Sequence, residues 1–170
     1  MLLAFFEEAG EARLVFTKRP DTMPYHRGEI VFPGGKVDPA LDPIPRDAAL
    51  REAREEVGLD PALVDVVAEL DHISTFAGAF TIVPFVGLVD TGRPALAAHP
   101  REVVRVFDVA VSELLDDATY REEHWETPGA ARSMYFYELE DETVWGATAR
   151  ILTGLLAHLT GTADLLGRSW

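Results

Sequence analysis

There is no cysteine among the 170 residues, which excludes disulfides, thiolate catalysis and cysteine-ligated zinc. Lysine is nearly missing as well. Lys18 and Lys36 are the only two, and 29 Asp and Glu against 15 Lys and Arg leave a formal net charge of −14. A chain this acidic lacks the basic surface on which nucleic-acid binding leans, so no nucleic-acid partner is expected. An anionic small molecule remains compatible with it, because bound divalent ions can invert the local field. No apolar run approaches membrane-span length. The opening Met1–Phe6 is too short for a signal-peptide core and runs into Glu7-Glu8 rather than into small residues. The expectation is a cytoplasmic protein without a membrane partner. Repeats, low-complexity tracts and linkers are absent too, and the length suits a single domain over residues 1–170 with a sizeable core. Nothing in the sequence speaks to oligomeric state.

What is present centres on residues 32–59. The stretch opens with Phe32-Pro33-Gly34-Gly35, crosses a Pro- and Asp-rich loop, and ends in Arg51-Glu52-Ala53-Arg54-Glu55-Glu56-Val57-Gly58-Leu59. At about 100° per residue, Glu52, Glu55 and Glu56 share one arc of roughly 100°. Ala49, Leu50, Ala53 and Val57 fill the neighbouring arc and would face a core. Pro45 suits the first turn of this helix, Asp47 its positive end, and Gly58 its stop. A run of Glu on a helix is most often a solvated face, and Arg51 to Glu55 is an ordinary i,i+4 pair. Yet three crowded carboxylates repel one another unless a cation or strong donor sits among them. They are hard oxygen ligands of the kind Mg²⁺ or Mn²⁺ takes.

Elsewhere, Leu2–Phe6 and Arg13–Thr17 read as strands around a turn at Glu8–Glu11, and Pro20 to Gly28 as a loop. Glu29–Phe32 is a short strand. Leu63–Ser74 and Phe80–Val89 are β-rich and antiparallel, joined by Thr75–Ala79, and Thr91–Pro100 is a loop. Val103–Val109 is a strand, Val111–Leu115 a short helix, Asp116–Ala131 polar and irregular, and Met134–Leu139 the last clear strand. Trp145–Leu159 carries Ala149, Leu152, Leu155, Leu156 and Leu159 at helical spacing. Strands mixed with two substantial helices suggest an α/β domain whose sheet is covered on both sides.

The stretch from Gly35 to Leu59 resembles the Nudix box of Nudix hydrolases, G-x5-E-x7-R-E-U-x-E-E-x-G-U with U apolar. Gly35, Arg51, Glu52, Glu55, Glu56, Gly58 and Leu59 match, with Ala53 at the first apolar position. The loop to Arg51 is two residues longer than the pattern and lacks its lone Glu; Asp42 is the substitute, as a partner orienting Arg51. The resemblance implies an α/β/α sandwich with a mixed β-sheet between helices. It also implies a Mg²⁺- or Mn²⁺-dependent hydrolase of small nucleoside diphosphates linked to another moiety. Its metal site would use Glu52, Glu55, Glu56 and the backbone carbonyl of Gly34, with Glu52 and Glu56 as direct ligands, Glu55 as a ligand or a supporting group, and Arg51 orienting Glu55 or Asp42. Many members draw one more acid from a loop before a late strand. Glu102, five residues before Phe107, has that spacing and would ligate metal or act as base; an exposed strand-entry Glu is the plain alternative. Glu122, Glu123, Glu126 and Glu138 are weaker candidates.

Leu14 through Gly35 further resembles the motif of coenzyme A pyrophosphatases, L-L-T-x-R-[SA]-x3-R-x3-G-x3-F-P-G-G. Thr17, Arg19, Gly28, Phe32, Pro33, Gly34 and Gly35 match, while Pro20 replaces the Ser/Ala and Pro24 stands where the inner Arg belongs. Thr17, Arg19, His26, Arg27 and Gly28 are the implied substrate-binding residues, with Arg19, Arg27 or His26 taking the lost Arg's place on phosphate. Residues 74–87 and 145–152 look like the same subfamily, with Trp145 expected to pack the core. The implied reaction splits coenzyme A or an acyl-CoA. The rivals are a broader hydrolase of ADP-ribose or dinucleotides, and a non-catalytic Nudix-like module that binds ligand only.

Overall fold

Strand β1 (Leu2–Glu8) turns back into β2 (Glu11–Lys18) through Ala9 and Gly10, both at positive φ (55° and 83°), the left-handed pair that a two-residue hairpin turn requires. The structure is a computed structural model and describes residues 1–74, 80–127 and 130–162. It divides into two compact units, Met1–Ser112 and Glu113–Trp170.

The first unit is built on a mixed sheet. Beyond the hairpin it contains β3 (Ile30–Val31), β4 (Val64–Glu69), the short antiparallel pair β5 (Ile73–Ser74) and β6 (Thr81–Ile82), then β7 (Phe85–Val89) and β8 (Arg105–Ala110). The main sheet runs β3-β2-β1-β7-β4, and β8 pairs with β2. Among the described residues only β1 and β7 pair in parallel; the other ladders are antiparallel. The expected antiparallel relation of the two middle β-rich segments is found, and their expected connection, Thr75–Ala79, lies outside the described residues.

Helix α1 (Pro45–Val57) has Pro at its first turn, Asp47 near its positive end and Gly58 at φ 72° beyond its last residue. Its buried residues Ala49, Ala53 and Val57 pack on Leu2, Ala4 and Phe6 of β1, Val15 of β2, and Phe85 and Val89 of β7. Each large aliphatic side chain removed from water here contributes about 1.5–3 kcal/mol. The apolar arc read from the sequence is therefore the face that fixes the helix, and it fixes the acidic arc beside it.

Helix α2 (Val111–Leu114) follows β8. The second unit has a three-stranded antiparallel sheet, β11-β10-β9, formed by β9 (Tyr120–Thr127), β10 (Ala130–Glu138) and β11 (Thr143–Trp145), with α3 (Gly146–Leu159) packed on β10 and β11. Ala149, Leu152, Leu155 and Leu156 are buried as their spacing predicts. Tyr137 and Thr153 share a buried hydrogen bond of 2.9 Å between strand and helix.

Three expectations fail in this unit. Asp116–Ala131 is largely strand, because cross-strand pairs supply what its polar sequence hides: Tyr120 lies against Tyr135 and Tyr137, and Arg121 sits over the Phe136 ring, 4.2 Å from its centre. The segment 134–139 belongs to a longer strand, and β11 comes after it. Trp145 is 41% exposed rather than core, since period-2 alternation gives the inward place to the fully buried Val144; Leu159, at the last helical residue, is 59% exposed. The α/β architecture with a mixed sheet and helices stands. No helix among the described residues is long and apolar enough to cross a membrane.

Candidate active site

The turn after β3 is pinned before any acid reaches it. Phe32 and Pro33 are buried, and the Pro33 carbonyl accepts the Leu2 N–H at 2.8 Å. Gly34 sits at φ 152°, a conformation side chains rarely adopt, and a Cβ there would lie 2.6 Å from the Met1 Cα. At Gly35 a Cβ would lie 2.4 Å from the Glu52 carboxyl. The two glycines thus let the chain start and the helix acids close on one point.

Glu52 and Glu56 project from α1 into this point and Glu102 joins them from the connection between β7 and β8. One carboxylate oxygen from each lies within 4.8 Å of the others. Glu56 is buried, Glu52 half-buried and Glu102 exposed. The Gly34 N–H donates to Glu56 Oε2 at 2.9 Å. That bond and Arg19 favour the ionised form of Glu56, but burial outweighs them; with repulsion from Glu52 and Glu102 added, its carboxyl is pushed up to about 7. Glu52 is raised as well, mainly by burial and against the pull of Arg51. Glu56 also stands in the last turn of the helix, where the dipole disfavours an anion. An oxygen-only donor set whose charges are unfavourable among themselves fits a hard divalent cation.

Glu55 stands outside this trio. Its side chain is 56% exposed and accepts Arg51 Nη1 at 3.0 Å. Arg51 is gathered on several oxygens: both Asp42 oxygens at 2.9 Å, Glu52 at 2.9 Å and the Lys36 carbonyl at 3.1 Å. The Arg51 guanidinium holds the buried Asp42 carboxyl below the usual range, and the Asp38 N–H at 2.7 Å works in the same direction. Asp42 therefore meets Arg51 as its place in the loop suggests. The Lys36 carbonyl and Asp38 N–H that complete this unit have no counterpart in the sequence pattern, because main-chain groups carry no side-chain signature. Arg51→Lys keeps the charge but cannot span this fork. We expect it to lower turnover about 10- to 100-fold, measured as steady-state kcat, with the fold retained by circular dichroism. Unchanged kcat would show that Arg51 does not position Glu52.

The upstream residues are distributed differently. Thr17 is buried, and its hydroxyl donates to the Val31 carbonyl at 3.1 Å, tying β2 to β3. Arg19 lies close enough to Glu56 to oppose the rise of its pKa, and its buried Nε has no hydrogen-bond partner among the described residues. His26, at φ 56°, contacts Glu29 at 2.9 Å, and Arg27 Nε donates to the Met23 carbonyl at 2.9 Å; both are exposed. Gly28 is at φ 65°, and a Cβ there would lie 2.6 Å from Asp21 Oδ1, so this glycine lets the loop close. In the second unit Glu122 accepts from the Tyr120 hydroxyl, Glu123 from Trp125 Nε1, and Glu138 from Arg121 and Thr143; none of these, nor Glu126, is in the trio. A shallow groove along the outer face of α1, lined by Asp47, Leu50, Arg51, Arg54, Glu55 and Pro61, includes none of the three clustered acids.

Comparison with known proteins adds a lineage to this geometry. The family model described as NUDIX domain matches residues 2–131. "Nudix hydrolase 22, chloroplastic" of Arabidopsis thaliana is 36% identical over 158 residues, covering 89% of this chain and 52% of that protein. "Uncharacterized Nudix hydrolase NudL" of Photorhabdus laumondii subsp. laumondii is 35% identical over 139 residues, covering 82% of this chain and 73% of that one. The chain thus spans about half the length of the plant relative. The crystal structure of a MutT/nudix family protein from Enterococcus faecalis has the same fold at 15% identity, with a TM-score of 0.60 over 98% of this chain and 65% of that chain.

Proposed function

The chain belongs to the NUDIX domain family, and on that premise we propose that it is a metal-dependent pyrophosphohydrolase splitting coenzyme A or an acyl-CoA into 4′-phosphopantetheine and adenosine 3′,5′-bisphosphate. The observation that carries hydrolysis is the convergence of Glu52, Glu56 and Glu102 beside Gly34-Gly35. Mg²⁺ or Mn²⁺ would be held by Glu52 and Glu56 with the Gly34 carbonyl, and Glu102 is near enough to ligate or to take a proton. Such an ion, when bound, supplies Lewis acidity toward phosphoryl oxygens and acidifies water. Arg51 and Asp42 keep Glu52 and Glu55 in place, and Glu55 supports rather than joins the metal ligands.

The narrower choice of coenzyme A is supported by the motif from Leu14 to Gly35 and by Arg19. A buried Arg nitrogen without a hydrogen-bond partner among the described residues, next to an acidic cluster, would suit an oxygen of a diphosphate. His26, Arg27 and Gly28 lie in the loop that the Arg19 N–H to Glu29 carbonyl bond of 3.0 Å closes. Pro24, where that motif has Arg, favours the second reading, a broader hydrolase of ADP-ribose or dinucleotides. A module that only binds ligand has no call for a complete trio of carboxylates. We read residues 1–170 as one functional domain, since the family match runs past Ser112 into the second unit.

The test is substrate profiling with Mg²⁺ or Mn²⁺ on CoA, dephospho-CoA, ADP-ribose and diadenosine polyphosphates, with products identified by mass. CoA is expected to be cleaved to the two named products with a higher kcat/KM than dephospho-CoA. Equal turnover with and without the 3′-phosphate would leave the broader reading, and no turnover of any compound would remove hydrolysis altogether.

A further inference from the structure

Glu102 reaches the trio from a long irregular connection, residues 90–104, between β7 and β8. An exposed carboxylate on such a connection ordinarily samples many positions. This one is tied at successive points. Arg93 grips Glu8 of β1 at 2.6 and 2.9 Å and Asp108 of β8 at 2.7 and 3.1 Å. Leu96 packs against the core that α1 shares with the sheet. The Ala97 N–H donates to the Val57 carbonyl at 2.9 Å and the His99 N–H to the Glu56 carbonyl at 2.8 Å. These are two of the last carbonyls of α1, which no residue of the helix can satisfy. The His99 carbonyl in turn accepts the N–H groups of Glu102 at 3.0 Å and Val103 at 2.9 Å, and Val103 is buried.

We propose that His99 is the positioning residue for Glu102: its main-chain N–H and C=O join the backbone of Glu56 to that of Glu102 through two consecutive hydrogen bonds. The helix that presents two of the acids thereby sets the place of the third. The inference rests on the hydrolase reading above, in which Glu102 works with Glu52 and Glu56. The exposed imidazole takes no part; what matters is that residue 99 has an N–H. Misplacing a reacting group by about 1 Å can cost about 100-fold in rate, which is why a main-chain tether is worth having at an exposed acid.

His99→Pro deletes the N–H and His99→Ala keeps it, so the pair separates main chain from side chain. Turnover is measured on whichever compound of the panel is cleaved fastest, and Mn²⁺ affinity by isothermal titration without substrate. His99→Ala should stay within about twofold of the parent. His99→Pro should lose about tenfold or more in kcat with KM little changed, and its Mn²⁺ affinity should fall to that of Glu102→Gln. The double variant His99→Pro/Glu102→Gln should be no worse than Glu102→Gln alone, because both act through one group. A single Gly inserted between Pro100 and Arg101 leaves both bonds to α1 intact, moves Glu102, and should reproduce the loss; it decides the matter if His99→Pro does not fold. Parental kcat and Mn²⁺ affinity in folded His99→Pro or in the insertion, or additive losses in the double variant, would overturn the positioning role alone. An equal loss in His99→Ala would overturn it in favour of the imidazole. Parental behaviour of Glu102→Gln would remove the acid's role and this inference with it, while hydrolysis through Glu52 and Glu56 would stand.

Discussion

Glu56→Gln is expected to lower hydrolysis by at least about 100-fold and, in the metal-free protein, to raise stability above neutral pH. The two effects have one origin. Burial, with Glu52 and Glu102 adding repulsion, lifts the Glu56 carboxyl from 4.5 to about 7. Below pH about 4.5 the group is protonated in both folded and unfolded chains and contributes nothing. Between there and about pH 7 the unfolded chain releases its proton while the folded one keeps it, so stability falls as pH rises. Above that window the loss is complete, on the order of 3 kcal/mol. Glu52, also raised, acts in the same direction. Gln at position 56 carries no charge and still offers an oxygen to the Gly34 N–H. Denaturant unfolding in EDTA at about pH 4 and pH 8 checks this: the variant's gain on the parent should be confined to the higher pH. A variant less stable than the parent at pH 8, or one that hydrolyses normally, would contradict the role given to Glu56. The expected stability cost is one an enzyme accepts at a site whose charge is wanted for the ion.

Gly35→Ala is the second large effect, and Gly34→Ala is its control. A Cβ at position 35 would come within 2.4 Å of the Glu52 carboxyl, whose three atoms are its nearest neighbours, and Gly35 is not at a positive φ. The flexible end of Glu52 would swing aside, so the fold survives while one of the three acids leaves its place. A drop of about 100-fold in kcat, with a melting temperature within about 2 °C of the parent, is the expected outcome. At Gly34 the Cβ would meet Met1 backbone at 2.6 Å and the residue would be held at φ 152°. That change should destabilise by more than about 2 kcal/mol. Should both variants lose stability equally, or Gly35→Ala keep its rate, the diglycine would not be the surface against which Glu52 is set.

Local periodicity sufficed for much of the fold. Pro45, the Ala49–Ala53–Val57 arc and Gly58 delimit α1 from sequence alone, because caps, breakers and one buried face are properties of consecutive residues. The β1–β2 hairpin was equally legible from its turn. β9 was not, since an edge strand of Arg, Glu and His reads as loop until Tyr135, Phe136 and Tyr137 lie across from it. Trp145 departs from its expected core position for a related reason: large and apolar does not say which of two faces the strand turns inward.

At the site, the sequence by itself established an acidic arc on a helix next to a diglycine turn, while the family resemblance pointed to Asp42 or Glu55 as the group that Arg51 orients. Only tertiary structure decided that Glu56 is buried and Glu55 exposed, although they are neighbours on one arc. It also decided between the two readings of Glu102, bringing it to the trio through the connection that closes on the end of α1. The reason is physical. Helical spacing orders directions around one axis, whereas a shared point in space is set by where the core, the Pro33-to-Leu2 pairing and the carbonyls of Glu56 and Val57 hold separate segments.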